Sequence, residues 1–372
     1  IPICMALFTV LPARRAAMVC FLGGWLLLPV ASYDLPMLPA YTKISAASFG
    51  ALLGVLVFDP NAFRNLRFSL LDAPMLAWCI APFFSSITNG LGPYDGVAES
   101  LTQTIRWGIP YLIGRMYFDS PAALRELAIG VFIAGLLYMP LCLWEIRMSP
   151  QLHRQLYGYA PHAFSMSIRF GGYRPTVFTQ HGLALGMFMT AASLSGIWLW
   201  LTGAVRSIHR VPMWMLVPPL LATTFLGKSF GALVLLIGGV GALLSVKWLR
   251  LPVAIAAVAL APPGYMGARS VGGWDGQFLV QFAGAVDATR AQSIDFRLHH
   301  EDLLIDKALR QPVFGWGGWG RSRVYDDQGR DISITDGMWV LALGMNGVFG
   351  LAALSAAMIL PVIVLWRRMY PH

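Results

Sequence analysis

Apolar segments of about 20 residues recur along almost the whole chain, and each is long enough to cross a bilayer as an α-helix. The 372 residues are 57% hydrophobic and 12% charged. Soluble domains carry about 25% charged residues, roughly twice that share. We therefore predict an all-α, polytopic helical membrane protein. The ten predicted spans are 16–31, 43–58, 69–88, 97–117, 121–144, 176–202, 212–227, 230–246, 250–266 and 346–366.

One long polar stretch, 267–335, interrupts this pattern and carries 17 of the 45 charged residues. Lipid cannot solvate such a stretch, so it must lie in water or in a protein-lined cavity. We expect a bundle of about nine spans over 1–266, a large external loop with short helices over 267–345, and a final span with its cytoplasmic end over 346–372. Residues 336–346 are too few to span, and we interpret them as a helix half-buried at the outer surface that breaks at Asn346-Gly347.

The basic residues give the predicted orientation, because Lys and Arg in short loops favour the cytoplasmic side. The residues assigned to that side are Arg14/Arg15, Arg64/Arg67, Arg125, Arg206/Arg210, Lys247/Arg250 and Arg367/Arg368. The other side then receives 32–42, 89–96, 145–175 and 267–345. This distribution explains the net charge of +9 without a nucleic-acid partner. The four cysteines lie in or beside apolar runs, so we expect neither a disulfide nor a metal cluster.

The outer end of span 176–202 carries a candidate anion site. Arg174 precedes Pro175 there, and a guanidinium group can bind a phosphate through two parallel hydrogen bonds. The alternative is an arginine without a binding role, whose side chain extends to the lipid headgroups. His181 lies deeper, and a buried structural histidine is the simpler interpretation of it. Lys228, in the tight connection before span 230–246, is either an ordinary interfacial lysine or a second cation facing the same anion.

The large loop carries the second set of candidates. Residues 296–310 have helical spacing, and Pro312 ends that helix. Glu301 and Asp302 in it could pair with Arg297 or be solvated. Residues 315–320 (GWGGWG) then form a turn whose Trp316 and Trp319 either anchor the loop at the interface or stack on sugar rings. His299-His300 lacks the spaced partners of a closed zinc site.

Asp336 directly precedes the short outer helix. The structural interpretation is an N-cap, whose carboxylate accepts hydrogen bonds from the first helical N–H groups. The functional interpretation is a general base at the bilayer surface. The two roles are compatible, so the sequence leaves both open.

Taken in order, these motifs resemble the O-antigen ligase and O-antigen polymerase family of bacterial envelope glycosyltransferases. The resemblance rests on the second half of the chain. Its first two motifs are Arg174-Pro175 entering a mid-chain span and Ser229 to Ala232 starting a later one. The others are Arg297 before the helix that ends in PVFGWGGWG, and Asp336 before a segment with Leu341, Gly344 and Gly347. Two positions depart from the ligases, which have Arg where Phe230 stands and His where Asp336 stands, so a polymerase or exopolysaccharide enzyme fits at least as well.

The resemblance implies an inverting glycosyl transfer that needs neither a metal nor another cofactor, at the outer face of the bacterial inner membrane. The donor would be a polyprenyl-diphosphate-linked glycan, and the acceptor a glycan, lipid or protein hydroxyl. Arg174, Lys228 and Arg297 would bind the diphosphate, with Arg174 and Arg297 approaching one another, and Asp336 would be the catalytic base. Trp316, Trp319, Arg321 and His181 would contact the glycan or the acceptor.

Two other functions remain open on the sequence. A transporter or flippase of lipid-linked or small polar substrates would place charges in mid-membrane, and Arg106 and Arg115 in or beside span 97–117 favour it. The concentration of charge in one external loop favours the enzyme. A non-enzymatic membrane subunit of an envelope complex is the third possibility, and the external arginines argue weakly against it.

Overall fold

The computed structural model describes residues 1–35, 38–169, 171–249, 253–285, 288–335 and 337–369, and the chain is mostly helical. The helices are α1 Pro2–Val10, α2 Ala13–Leu27, α3 Lys43–Phe58, α4 Asn61–Asn65, α5 Ala73–Thr88, α6 Pro93–Gln103, α7 Ile109–Tyr117, α8 Pro121–Met148, α9 Leu152–Tyr157, α10 Gly182–Leu201, α11 Met213–Leu226, α12 Phe230–Leu244, α13 Val253–Ser270, α14 Gln277–Gly284, α15 Ala288–Leu309 and α16 Met338–Met369. The strands are β1 Ser32–Leu35, β2 Leu38–Thr42, β3 Ile168–Arg169, β4 Gly172–Tyr173, β5 Ser207–Ile208 and β6 Val211–Pro212. Strands β3 and β4 pair antiparallel, as do β5 and β6.

Each of the ten predicted apolar segments coincides with helical structure. By length and composition, five helical segments among the described residues could cross a membrane. They are Leu70–Thr88, Pro121–Met148, Gly182–Leu201, Phe230–Leu249 and Met338–Val364. Lys43–Phe58 and Met213–Leu226 are apolar but shorter. The mostly helical architecture is therefore confirmed, while the number of ten spans and the loop arrangement stay predictions.

The chain divides into two compact units. The first comprises Ile1–Pro36, Ala40–Leu66 and Ile109–Ile255. Its core is built from α8, α10 and α11, with Phe132, Leu185 and Leu220 fully buried. Small residues allow these helices to approach closely, since a Cβ added at Gly135 of α8 would lie 2.5 Å from the Cβ of Ala192 on α10.

The second unit comprises Met37–Pro39, Arg67–Gly108 and Ala256–His372. One of its clusters packs the apolar face of α15 against the start of α16, through Leu304, Ile305 and Ala308 on one side and Trp339 and Leu343 on the other. The prediction of a helix over 296–310 is confirmed, although α15 begins earlier, at Ala288. It ends at Leu309, three residues before Pro312.

The predicted break at Asn346-Gly347 is confirmed. Gly347 interrupts α16 with φ 64° and ψ −166°, a conformation that only glycine adopts readily. The loop after α15 docks on this break through four backbone hydrogen bonds, in which Trp316 N donates to Gly344 O, Gly317 N to Met345 O, Val348 N to Pro312 O and Phe349 N to Val313 O. The break in α16 therefore positions the loop after α15 within the second unit.

The predicted start of span 176–202 is wrong by six residues, because α10 begins at Gly182. Residues 174–181 form an irregular segment. Their backbone groups are bonded by side chains of other helices, as described below, and these bonds replace those of a helical turn.

Candidate anion-binding site

Arg174 lies in this irregular segment and reaches the start of α12. Its Nη2 donates a hydrogen bond of 3.0 Å to Oγ of Ser229, a residue only 2% exposed that forms the N-cap of α12. The Arg174 side chain crosses Gly182, where an added Cβ would lie 2.6 Å from Nε. Gly182 is thus needed for this close crossing, and the guanidinium group is held at a helix N-terminus, an end that favours anions.

Lys228 joins Arg174 at the same place. It precedes Ser229 in the chain and adopts φ 51°, which is uncommon for a residue with a Cβ. Its Nζ lies so close to Gly172 of β4 that an added Cβ there would collide with it. The structure therefore brings Arg174 and Lys228 to one β3–β4 ribbon and one helix end, as the sequence led us to expect. That they hold a diphosphate stays a prediction.

The buried carboxylate of Glu145 fixes the segment that carries Arg174. Its Oε2 accepts hydrogen bonds from Thr176 N and Val177 N, both at 2.8 Å, and its Oε1 accepts one from Leu152 N at 3.0 Å. Val177 adopts φ 48°, a strained value for a β-branched residue that persists only where the surroundings impose it. Glu145 was not among the predicted site residues, although an acidic residue near the end of an apolar helix can indicate such a role.

Lys43 on α3 and Tyr138 on α8 complete this support. Lys43 Nζ donates to Trp25 O and to Phe178 O, both at 2.9 Å. Tyr138 Oη accepts from Phe178 N at 3.1 Å and donates to Leu26 O at 2.8 Å. Lys43 was also missed, although a lysine at the start of an apolar helix is a comparable signal.

His181 is a helix cap and is exposed, so the expectation of a buried histidine is wrong. Its Nδ1 accepts a hydrogen bond from Ala184 N at 3.1 Å. Partial burial of the ring, and then the charge of Arg174, lower the pKa of His181. The pKa of His162 is lowered by burial and then by the neighbouring His181. Lowered values keep both rings neutral at pH 7, so protonation below the ordinary value of 6.5 favours the unfolded state.

In the second unit, Glu301 and Asp302 bind an arginine that the sequence analysis did not single out. Arg269 Nε contacts Glu301 Oε2 at 3.4 Å, and its Nη2 contacts Asp302 Oδ1 at 2.7 Å. Carbonyl oxygens of Trp274 and Leu298 accept two further bonds from Arg269, and Tyr265 donates to Glu301 at 2.6 Å. Glu301 and Asp302 are therefore structural ion-pair partners, while Arg297 lies exposed on α15.

The two tryptophans of the 315–320 turn differ in their surroundings. Trp316 donates its indole N–H to Lys307 O at 2.7 Å, and Lys307 Nζ lies 4.0 Å from the centre of its ring. Trp319 is 78% exposed and adopts φ 59°, yet its indole N–H is fixed by Asp95 Oδ1 at 2.8 Å. Trp316 thus packs onto α15, whereas Trp319 presents an oriented aromatic ring to its surroundings.

The remaining predicted residues have separate positions. Arg321 donates to Asn89 O at 3.2 Å and so ties the turn to the end of α5. Asp336 lies outside the described residues. Arg174 and Lys228 belong to the first unit and Arg297 to the second, so the approach of Arg174 to Arg297 stays a prediction. Within the described ranges, no group of three His, Cys, Asp or Glu side chains could hold a metal ion.

Comparison with known proteins returned no relative. No protein-family model matches the sequence, and neither curated proteins nor solved structures gave a significant match.

Proposed function

We propose that this chain is a membrane glycosyltransferase of the O-antigen ligase and polymerase type. It transfers a glycan from a polyprenyl diphosphate to an acceptor hydroxyl on a glycan, lipid or protein, at the outer face of the bacterial inner membrane. The observation that carries the proposal is the cluster of Arg174, Lys228 and Ser229 at the N-terminus of α12. A guanidinium, an ammonium and a helix N-terminus that converge on one place suit a diphosphate.

The reaction needs such a site because the leaving group is an anion. A bond forms between the acceptor oxygen and the anomeric carbon, while the bond from that carbon to the diphosphate oxygen breaks. Negative charge grows on the departing diphosphate, and Arg174 and Lys228 would stabilise it electrostatically. The acceptor proton would pass to Asp336, and general-base assistance of this kind is worth about 10²–10⁴-fold in rate.

The exposed ring of Trp319 supports a carbohydrate substrate. Its indole N–H is bonded to Asp95, so the ring keeps a fixed orientation while one face stays available. The C–H faces of sugar rings pack on such aromatic surfaces, and the ring loses little conformational entropy on binding because it is held beforehand. Trp316 has its ring covered by Lys307, so we assign glycan contact to Trp319 and a structural role to Trp316.

A flippase or transporter of lipid-linked substrates is the second candidate, and one feature favours it. Arg106 lies in a π-helical turn, Thr104–Gly108, that interrupts the helical run from α6 to α7. Such turns are frequent at functional sites, and an ionisable residue inside an apolar segment can mark a substrate path.

Proteoliposomes separate the two candidates. Purified protein is supplied with a lipid-linked glycan extracted from the organism that encodes the chain, together with its acceptor. A glycosyltransferase releases polyprenyl diphosphate and forms a new glycosidic bond, whereas a flippase moves intact donor between leaflets. Arg174→Ala and Arg297→Ala should each abolish product, and Arg297→Lys should impair it because the forked geometry is lost. Normal glycan transfer by both alanine variants would refute the proposed site.

A further inference from the structure

A polar cavity in the first unit shares no lining residue with the Arg174 cluster. It is open, has a volume of about 460 Å³, and is lined by Arg14, Arg15, Asp59, Tyr117 and Glu126 together with the start of α2. The charges in its wall balance, with two cationic and two anionic side chains. The proposed glycan transfer assigns no role to any of these residues.

The hydrogen bonds within the wall leave capacity for a ligand. Glu126 bridges Arg15, through Nε, and Arg14, through Nη1 at 3.4 Å. The side chains of Arg14 and Arg15 stay 40% and 60% exposed beside Glu126, and each guanidinium group carries five N–H donors. Tyr117 donates to Asp59 Oδ2 at 2.9 Å, and a carboxylate can accept up to about four bonds. The cavity thus offers donors on its arginine side and acceptors on its Asp59 side.

Four apolar helices begin or end at this cavity. Helix α2 begins at Ala13, α3 ends at Phe58, α7 ends at Tyr117 and α8 begins at Pro121. Where apolar helices end together, the hydrocarbon of a bilayer gives way to its headgroups. Leu56, Val57 and Phe58, which directly precede Asp59, are exposed, as expected for side chains that meet acyl chains. On the predicted orientation this is the cytoplasmic leaflet.

We propose that this cavity binds the headgroup of a phospholipid that carries both a phosphodiester and a primary ammonium, the chemistry of phosphatidylethanolamine. Arg14 and Arg15 bind the phosphodiester, and Asp59 accepts hydrogen bonds from the ammonium group. A zwitterion leaves the balanced charge of the wall unchanged, whereas an anionic headgroup adds an uncompensated charge. A quaternary ammonium has no N–H to donate, so a choline headgroup loses the contact with Asp59.

Binding of short-chain lipids to the purified full-length protein in detergent tests this site, with native mass spectrometry as the readout. The probes are dihexanoyl lipids with ethanolamine, choline or glycerol headgroups, and inorganic phosphate. The ethanolamine lipid should bind at least about tenfold more tightly than the choline and glycerol lipids, since it alone makes a charge-assisted bond to Asp59 without excess charge. Asp59→Asn should reduce the affinity for the ethanolamine lipid to that for the choline lipid.

Two further variants and one control complete the experiment. Replacing Arg14 and Arg15 together by Gln should weaken the binding of all three lipids, because each lipid carries a phosphodiester. Tyr117→Phe removes an internal bond of Asp59 but keeps the carboxylate, so the ethanolamine preference should remain. The control is Arg125→Gln, since Arg125 donates to Ala204 O and does not line the cavity; it should bind like the unmodified protein.

The lipid panel on the unmodified protein is decisive even if a variant fails to fold. Equal or tighter binding of the glycerol lipid would overturn the proposal in favour of an ordinary basic patch. If inorganic phosphate at the same concentration displaced the ethanolamine lipid, the cavity would be a site for phosphate and not for this headgroup. Loss of lipid preference would not affect the glycan-transfer proposal, because the cavity contains no residue of the Arg174 cluster.

Discussion

Asp336 is the residue on which the proposed chemistry depends most. Asparagine preserves its size and caps helices about as well as aspartate, but it cannot accept a proton as a carboxylate does. If Asp336 is the base, Asp336→Asn should lower turnover at least about tenfold while expression and folding stay normal. Near-normal turnover with purified lipid-linked donor would leave Asp336 with a capping role only.

Trp316 and Trp319 form a matched pair for testing glycan contact. Trp319→Ala should raise KM for the glycan substrate and change stability little, because the ring is exposed. Trp316→Ala should instead lower the unfolding temperature, since it removes the contacts with Lys307. Steady-state kinetics and thermal unfolding of both variants measure this difference. The assignment fails if Trp319→Ala leaves KM unchanged.

At the residue scale, the sequence identified the candidate cations but not the buried charged residues that hold the surrounding segments in place. Arg174 and Lys228 stood out because charged residues at the ends of apolar segments are conspicuous, and the structure brings them together. Glu145 was missed because its partners are backbone N–H groups. Arg269 was missed because its acidic partners, Glu301 and Asp302, lie 32 and 33 residues further along the chain. Only the fold shows that Glu145 meets the N–H groups of Thr176 and Val177.

Among the elements, the break in α16 is the feature most open to a direct test. A Cβ at Gly347 would collide with the carbonyl group of Val313, and the backbone there has φ 64°. Gly347→Ala should therefore destabilise the protein by at least about 2 kcal/mol. Denaturant unfolding in detergent provides the measurement.

Gly241 is the matched control for Gly347, because it also lies in an apolar helix but has open space around it. Gly241→Ala should change the free energy of unfolding by no more than about 1 kcal/mol, within the range of helix propensity. Equal effects of the two substitutions would show that the break at Gly347 is not required.

Hydropathy predicted where the helices lie, but it did not predict where α10 begins. Val177 and Phe178 are apolar and lie close to α10, so hydropathy assigns them to the span and does not show that they form an irregular segment. The difference comes from Glu145, Lys43 and Tyr138, which bind the backbone of 176–178. Hydropathy alone does not reveal which backbone groups such side chains bind.

For the whole molecule, orientation in the membrane is the first testable property. We expect Gly267 to Asn346 to lie outside the cytoplasm, because only that choice puts Arg206/Arg210, Lys247/Arg250 and Arg367/Arg368 on one side. Single cysteines at Asp326 and Arg206, in a background without the native cysteines, are labelled with an impermeant maleimide in intact spheroplasts. The cysteine at position 326 should be labelled. Labelling at position 206 but not at 326 would contradict the predicted orientation.

The central claim is that the Arg174 cluster binds a diphosphate attached to a lipid. Equilibrium binding of polyprenyl diphosphate to purified protein, with polyprenol as the uncharged comparison, measures this directly. Charge-assisted hydrogen bonds are worth about 1.5–3 kcal/mol, so Arg174→Gln and Lys228→Gln should each weaken diphosphate binding about tenfold or more and leave polyprenol binding unchanged. Arg154→Gln, at an exposed arginine of α9, should bind like the unmodified protein. Equal affinity of the unmodified protein, Arg174→Gln and Lys228→Gln for polyprenyl diphosphate would contradict the claim.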